Sequence, residues 1–250
     1  MKILYYSMSD KGQVREHNED SYLNNELFSV FMVADGMGGY QCGDVASRIA
    51  LESVISYLET CCKKDGTFTE RAFKYAIEYS NRRVFNYKKK NPQIKEMGTT
   101  LVGFVPSENG GVIFNVGDSR LYHYKNNELI QITKDHSAEQ EVLPDFMQNM
   151  NEGKYSGVIT QALGIHEMVK YDTYKIQYAE GDLLLLCTDG LHSMISPDAI
   201  RTILDGKEDI QKKTAFLVDA ANQAGGKDNI TVTLIEILST ADPYTIEYKI

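Results

Sequence analysis

The order of the predicted elements indicates an α+β fold, in which a central antiparallel β-sandwich is flanked by helices. Short apolar runs rich in β-branched residues predict strands, and two long segments with helical periodicity follow the first strand. Further helices come late in the chain, just before a final strand. Because strands and helices do not alternate one by one, a doubly wound parallel sheet is disfavoured.

Apolar runs of strand length occur at five places in the chain. They cover residues 28–34, 99–105, 111–116, 182–187 and 230–238. The segment 121–132 predicts a hairpin, because Asn126 and Asn127 provide a turn between two short strand-like stretches. These six segments supply the strands of the sandwich.

Apolar residues recur at helical spacing in four segments. The segments are 44–62, 70–88, a stretch from Ser196-Pro197 to Gly206, and about 211–224. Thr69 is the expected N-cap of the second helix, and Ser196 followed by Pro197 is a typical helix start. The segment 137–158 follows neither period and predicts an irregular surface lobe.

The composition fits a single globular domain over residues 1–250. Hydrophobic residues make up 42% and charged residues 24% of the chain, and no linker-like or repetitive stretch divides it. No apolar run reaches the ~18 residues of a membrane span, and the N-terminus lacks the apolar core of a signal peptide. The four cysteines form no C-x-x-C pair and fit reduced thiols. We therefore expect a cytoplasmic protein with no membrane partner.

The formal net charge of −9 argues against a nucleic-acid partner. An acidic surface repels the phosphate backbone of DNA and RNA. Most acidic residues are expected on the solvated surface, so the informative ones are those with an unusual position in the sequence.

Aspartates stand next to four of the predicted strands, and three of these aspartates adjoin a glycine. They are Asp35, Asp118 and Asp189, each at the end of an apolar strand, and Asp228, just before the last strand. One Asp-Gly pair is usually a turn, whereas four at strand ends suggest that they converge on a ligand. Crowded carboxylates raise one another's pKa unless a cation neutralises them. Because the candidate ligands are all oxygens, the pattern predicts Mg²⁺ or Mn²⁺ rather than zinc.

A charged segment near the start, residues 12–20, carries two further candidates. Arg15 is a fork-shaped cation that suits bidentate phosphate binding. Asp20 follows closely and could join the other carboxylates. Taken alone, the segment is only a charged loop.

Other phosphate-handling motifs are absent from the sequence. Gly225-Gly226-Lys227 is followed by Asp228 rather than the Ser or Thr of a P-loop, and neither a dinucleotide-binding nor a G-x-S-x-G motif is present. Cys187 lacks the neighbouring arginines that a cysteine phosphatase needs, so it is predicted to be a core thiol.

Eight segments, taken together and in order, resemble the bacterial metal-dependent type-2C Ser/Thr protein phosphatases (PPM family). They are GQVREHNEDS (12–21), VADGMGG (33–39), GTTLVG (98–103), NVGDSRLY (115–122), ITKDHS (132–137), ITQALG (159–164), CTDGL (187–191) and GGKDNITV (225–232). They span nearly the whole chain at the family's usual spacing. A single one would be a weak signal, whereas the series is specific.

The resemblance implies a four-layer α-β-β-α arrangement with helices on both faces of the sandwich. It also implies a centre for two tightly bound Mn²⁺ or Mg²⁺ ions at one edge. Asp35 would bridge both ions, and the Gly36 carbonyl would bind one of them. Asp189 and Asp228 would complete the pair, so that Asp35, Asp189 and Asp228 are the expected catalytic residues.

The remaining roles follow from the same resemblance. Asp20 would bind near the pair or orient its waters, and Asp118 together with Asp189 would hold a third, weaker ion. Arg15 would bind the substrate phosphate. The segment 137–158 would be a flap inserted beside the active site.

The implied activity is hydrolysis of phosphoserine and phosphothreonine esters by metal-activated water. Phosphoproteins are the expected partners, including a Ser/Thr kinase that the enzyme opposes. Two positions depart from the family pattern: Tyr40 replaces a usual His, and Gln161 replaces a common Arg. With Tyr40 in that place, a water at the metals is expected to protonate the leaving oxygen.

Two alternatives compete with this interpretation. A non-catalytic regulator with the same fold would be favoured by loss of Asp35 or Asp228, and both are present. A phosphatase that forms an aspartyl phosphate needs D-x-D at a strand end. Neither Asp35-Gly36-Met37 nor Asp189-Gly190-Leu191 provides it.

Overall fold

The computed structural model describes residues 2–38, 42–61, 70–107, 110–138, 157–239 and 247–249. Within these residues the chain forms thirteen strands and five helices. Most of the strands belong to two large sheets that pack face to face.

The first sheet has six strands. They are β1 (Lys2–Asp10), β8 (Arg120–Lys125), β9 (Glu128–Gln131), β11 (Leu183–Cys187), β12 (Ile230–Ser239) and β13 (Glu247–Lys249). Their order is β13-β1-β12-β11-β8-β9. The pairing is antiparallel except between β1 and β13.

The second sheet has five antiparallel strands. They are β2 (Ser21–Asn25), β3 (Val30–Ala34), β6 (Leu101–Ser107), β7 (Gly110–Val116) and β10 (Asp172–Ile176), in the order β10-β7-β6-β3-β2. A separate ribbon joins β4 (Gly36–Gly38) to β5 (Met97–Thr99).

The helices lie on the two outer faces of the sandwich. They are α1 (Cys42–Cys61), α2 (Glu70–Lys90), α3 (Asp189–His192), α4 (Pro197–Asp205) and α5 (Ile210–Gln223). Buried side chains of α1 and α2 pack against the five-stranded sheet, and those of α4 and α5 pack against the six-stranded sheet. The predicted α-β-β-α arrangement is confirmed.

The side chains of β3 alternate between two hydrophobic cores, one between the sheets and one under the helices. Phe31 and Val33 pack between the sheets, whereas Val30 and Met32 pack under α1 and α2. Successive side chains of a strand point to opposite faces, so an entirely apolar strand is one that is covered on both sides. The same alternation divides β11, in which Leu184 and Leu186 face the other sheet.

Several local predictions are confirmed. Asn126 and Asn127 have φ of 49° and 62°, as the central residues of a tight hairpin turn require. The side chain of Ser196 accepts a hydrogen bond from the Ala199 amide and caps α4, with Pro197 in the first turn.

Other predictions were incomplete. The predicted strand 99–105 is interrupted at Thr100, because the chain leaves the β4–β5 ribbon there and enters the main sheet. β1, β2 and β10 were not predicted. The expected N-cap Thr69, the substituted Tyr40 and most of the segment 137–158 lie outside the described residues.

None of the described helices has both the length and the apolar character needed to cross a membrane.

Candidate metal centre

Five aspartates are gathered at one edge of the sandwich, supplied by loops from both sheets. They are Asp20 before β2, Asp35 after β3, Asp118 after β7, Asp189 after β11 and Asp228 before β12. Four of them were predicted from their place beside a predicted strand, and Asp20 was predicted as part of the charged segment 12–20. The structure brings all five close enough to interact electrostatically.

Asp35 has the most crowded surroundings. Burial raises the pKa of its carboxyl well above the usual value, and repulsion from the other four aspartates raises it further. A position where four like charges act on a fifth is where a cation would be bound most strongly.

The neighbouring aspartates are perturbed in the same direction. Burial, followed by repulsion from nearby carboxylates, raises the pKa of Asp20 and of Asp118 to about 7. The pKa of Asp189 is also raised, first by burial and then by Asp228. In these three residues Oδ1 is buried and has no hydrogen-bond partner. Unpaired buried carboxylate oxygens are costly unless a cation neutralises them, so this donor set fits hard divalent ions.

The carboxylates do not form a finished ligand set in this structure. Among the described residues, no three acidic, histidine or cysteine side chains are arranged as a preformed metal site. Asp228 is turned toward Arg15, with 2.6 Å between Oδ2 and Nη2. The electrostatic proximity of the aspartates, rather than a completed coordination geometry, supports the metal centre.

Two threonines hold the backbone of Asp35 in place. The Asp35 amide donates to Thr100 Oγ1 at 2.8 Å, and the Thr100 amide donates to the Asp35 carbonyl at 2.9 Å. The hydroxyl of Thr99 donates to the same carbonyl at 2.8 Å. Because these bonds use only backbone atoms of Asp35, its carboxylate remains available for a ligand.

Gly36 lies where no side chain fits. A Cβ at this position would lie 2.0 Å from the Gly43 carbonyl oxygen and 2.5 Å from that of Glu19. The Gly36 amide donates to the Glu19 carbonyl at 3.2 Å. The glycine therefore lets the chain after Asp35 pass between the start of α1 and the loop that leads to Asp20.

Asp189 begins α3, directly after the end of β11. Gly190 packs against the loop that carries Asp228, because a Cβ at Gly190 would lie 1.9 Å from the Asn229 carbonyl oxygen. This close approach brings Asp189 and Asp228 together although they are far apart in sequence.

Arg15 lies on a loop that is fastened to the Asp228 loop. The amides of Gln13 and Val14 both donate to the Gly226 carbonyl, at 2.8 and 3.3 Å. The Arg15 side chain is 52% exposed and that of Asp228 is 31% exposed. An ion pair this accessible contributes little stability, so Arg15 is free to exchange partners.

The side chain of Asn229 holds the loop that carries Arg15. Its Oδ1 accepts from the Glu19 amide at 2.8 Å, and its Nδ2 donates to the carbonyls of Lys11 and His17 at 2.8 and 2.9 Å. The buried amide thus uses both of its polar atoms to hold the segment that carries Arg15.

Asp118 is buried in the turn after β7. Burial lowers the pKa of His192 to about 4, so this imidazole is neutral and its Nε2–H donates to the Asp118 carbonyl at 3.1 Å. The hydroxyl of Ser119 is hydrogen bonded to Thr100 Oγ1 at 2.7 Å. Thr100 therefore connects the Asp118 turn to the Asp35 backbone.

Sequence reasoning found the acidic residues and missed their supports. No role was predicted for Thr99, Thr100, Thr188, His192 or Asn229. Two of these residues, Thr188 and Asn229, stand directly beside an aspartate of the centre in the motifs T-D-G and D-N. A hydroxyl or amide residue next to an aspartate at a strand end was the sequence signal that could have identified them.

The fold and the carboxylate cluster define a class of protein: a four-layer sandwich built around a site for hard divalent cations. A family model described as protein phosphatase 2C matches residues 11–235. The chain belongs to this family.

Relatives of known identity match over almost the whole chain. The serine/threonine phosphatase stp of Listeria monocytogenes is 35% identical over 239 residues, which cover 91% of this chain and 93% of the relative. Protein phosphatase PhpP of Streptococcus pneumoniae is 32% identical over 237 residues, covering 92% and 96%.

Solved structures of similar proteins agree with this assignment. The Mycobacterium tuberculosis serine/threonine phosphatase PstP/Ppp superposes with a TM-score of 0.80 at 28% identity, covering 94% of this chain and 99% of that one. The catalytic domain of PstP in complex with two manganese ions has a TM-score of 0.80 at 28% identity, covering 95% and 99%.

Proposed function

We propose that this protein hydrolyses phosphoserine and phosphothreonine esters in proteins, at a centre for two Mn²⁺ or Mg²⁺ ions. The observation that carries the proposal is the convergence of five aspartates from both sheets, three of which have a buried Oδ1 without a partner. As a member of the protein phosphatase 2C family, the chain is a metal-dependent Ser/Thr phosphatase.

The residues of the centre have distinct proposed roles. Asp35 and the Gly36 carbonyl, with Asp189 and Asp228, would hold the two ions. Asp118 would hold a third, weaker ion together with Asp189. Two bound ions would supply Lewis acidity, which lowers the pKa of water and neutralises charge on the phosphoryl group. Asp20 would serve as a further ligand or as an acceptor for ordered water.

Arg15 binds the substrate phosphate. Its guanidinium is exposed at the edge of the acidic cluster, where it now bonds to Asp228. A phosphate monoester offers the planar fork a stronger bidentate partner than one exposed carboxylate does. Arg15 would therefore exchange Asp228 for the substrate, which orients the ester toward the aspartates.

A covalent cysteine mechanism does not suit this chain. Burial raises the pKa of the Cys187 thiol to about 12, so it carries no thiolate near neutral pH. If water is the attacking group, the residues of the chain need only bind the ions, hold the substrate phosphate and exclude competing nucleophiles.

The wider setting of the enzyme is also proposed. We place it in the cytoplasm as a single phosphatase domain over residues 1–250, with 137–158 as a flap insertion, and in signalling opposite a Ser/Thr kinase. The names of the relatives stp and PhpP support the phosphoprotein substrates. The acidic composition supports the absence of a nucleic-acid partner.

Substrate class is tested with three matched peptides that differ only in carrying phosphoserine, phosphothreonine or phosphotyrosine. With Mn²⁺ present, release of phosphate from the first two and much slower release from the third supports the proposal. Preference for phosphotyrosine, or activity on none of the three, contradicts it.

A further inference from the structure

Two similar hydrogen-bonded triads each link an asparagine to a serine of β1 and a threonine of β12, which are neighbouring strands of one sheet. In the inner triad, Asn18 Nδ2 donates to Ser9 Oγ at 2.8 Å, and Ser9 Oγ is 2.7 Å from Thr231 Oγ1. In the outer triad, Asn24 Nδ2 donates to Ser7 Oγ at 2.8 Å, and Ser7 Oγ is 2.8 Å from Thr233 Oγ1.

The triads repeat each other because of strand register. Ser9 pairs with Thr231 and Ser7 with Thr233 across the antiparallel ladder, so both pairs lie on one face. This is the face that meets the other sheet, where Ile3 and Ile235 are apolar. Both threonines are fully buried. The two triads therefore have the same chemistry in nearly the same surroundings.

One hydrogen bond in each triad has a fixed direction, because an amide nitrogen can only donate. Ser9 Oγ therefore accepts from Asn18, and Ser7 Oγ accepts from Asn24. In the inner triad, burial raises the pKa of the Asp20 carboxyl and hydrogen bonding from Thr231 lowers it, so the single hydroxyl hydrogen of Thr231 is directed to Asp20 and Ser9 donates to Thr231 Oγ1. In the outer triad, either hydroxyl of the Ser7–Thr233 pair can be the donor.

Only the inner triad leads to the metal centre. Thr188 Oγ1 accepts from the Thr231 amide at 3.0 Å and donates to Asp20 Oδ2 at 2.8 Å. The Asp20 amide donates to Asn18 Oδ1 at 3.2 Å, so the series of hydrogen bonds that starts at Asn18 also ends there. Although burial raises the pKa of Asp20 most, hydrogen bonding from Thr231 and Thr188 lowers it, so both hydroxyls favour the carboxylate. Among the described residues, the hydrogen bonds of the outer triad reach no carboxylate.

We propose that Ser9, Asn18, Thr231 and Thr188 are positioning residues that hold Asp20 through Oδ2, so that its Oδ1 remains available to the metal ions. The inference rests on the proposed function, because it assumes that Asp20 serves the metal centre. Oδ1 of Asp20 is buried and has no partner, as a carboxylate held for a cation requires. Partners that orient a metal ligand typically contribute 10–100-fold to metal affinity.

Ser9→Ala and its matched control Ser7→Ala test the proposal. Each removes one hydroxyl from an equivalent triad, so both variants should lose similar thermal stability without metal. Calorimetric titration of the metal-free proteins with Mn²⁺ should show affinity about tenfold weaker for Ser9→Ala than for wild type. Ser7→Ala should keep the wild-type affinity. Phosphatase activity of Ser9→Ala should be low at limiting Mn²⁺ and recover at saturating Mn²⁺, with an unchanged KM for phosphopeptide.

A second matched pair of variants tests the proposal if a variant of the first pair does not fold. Thr231→Val should weaken Mn²⁺ binding, Thr233→Val should not, and Thr231→Ser should retain the affinity because it keeps the hydroxyl. Equal Mn²⁺ affinity in each matched pair overturns the positioning role alone, provided that the wild type binds Mn²⁺ and cleaves phosphopeptide. A wild type that binds no Mn²⁺ overturns both the positioning role and the proposed function.

Discussion

Arg15 donates a hydrogen bond from Nη2 to Oδ2 of Asp228 across 2.6 Å, which joins the residue expected to bind phosphate to one expected to bind metal. Asp228 Oδ2 and Arg15 Nη2 therefore become available to a metal ion and to phosphate when this hydrogen bond is broken. The pair is exposed enough for that exchange to cost little.

Arg15→Ala should weaken substrate binding without weakening metal binding. The bidentate phosphate contact is partly made in the ground state, so KM for phosphopeptide should rise, roughly tenfold or more. Mn²⁺ affinity should stay the same or increase, because a competing cation leaves Asp228. Steady-state kinetics and Mn²⁺ calorimetry measure the two effects separately. Arg15→Lys should recover little, since a point charge does not replace the fork. An unchanged KM in Arg15→Ala would remove Arg15 from the phosphate site.

Asp35→Ala, Asp189→Ala and Asp228→Ala should each reduce turnover by more than about 100-fold. Residues that only orient ligands already contribute 10–100-fold, so loss of a ligand should cost more. Double variants should be scarcely slower than single ones, because the residues serve one centre. Turnover of purified variants, with circular dichroism to confirm folding, measures this. Multiplying losses in the double variants would show that the three residues act independently.

Asp118→Asn should make the stability of the metal-free protein less dependent on pH. The pKa of Asp118 rises from 3.8 to about 7 on folding, so the folded state binds more protons than the unfolded state between these values. Stability contributed by protonated Asp118 is present below about pH 4 and is lost as pH rises toward and through 7. The loss is on the order of a few kcal/mol.

Urea unfolding in EDTA at pH 5 and pH 7.5 checks this expectation. The wild type should lose more free energy of unfolding between the two values than Asp118→Asn does. His192 acts in the opposite sense, since its lowered pKa removes stability as pH falls below 6.5, but it is common to both proteins. The same pH dependence in both proteins would mean that Asp118 titrates normally in the fold.

The apolar strands and the aspartates at their ends were accessible from the sequence. β11 is a continuous apolar run because it is buried on both faces, and β12 is buried over most of its length. Each of these strands lies beside an aspartate that is proposed to bind metal. β1 was missed because its inward face changes from Ile3 to Ser7 and Ser9, whose hydroxyls are paired with threonines of β12. A strand that buries hydroxyl groups in this way lacks the simple alternation of apolar and polar residues.

The residues that position the aspartates and Arg15 could not be predicted from the sequence, and the reason is different. Thr100 acts on Asp35 and Ser119, and Asn229 acts on the loop near Arg15, across long sequence separations. Single-sequence patterns report local periodicity and turn chemistry, whereas these hydrogen bonds depend on which strand ends meet in space. Motif resemblance located the residues but did not assign their partners.

We expect this fold to hydrolyse phosphoesters only with hard divalent ions bound among its aspartates. The most direct measurement is phosphate release from a phosphothreonine peptide by protein that has been exhaustively chelated and then titrated with Mn²⁺. Activity should be absent after chelation and should return with Mn²⁺ as two ions bind tightly, while Zn²⁺ should not support comparable turnover. Full turnover by the metal-free protein would contradict a requirement for divalent ions.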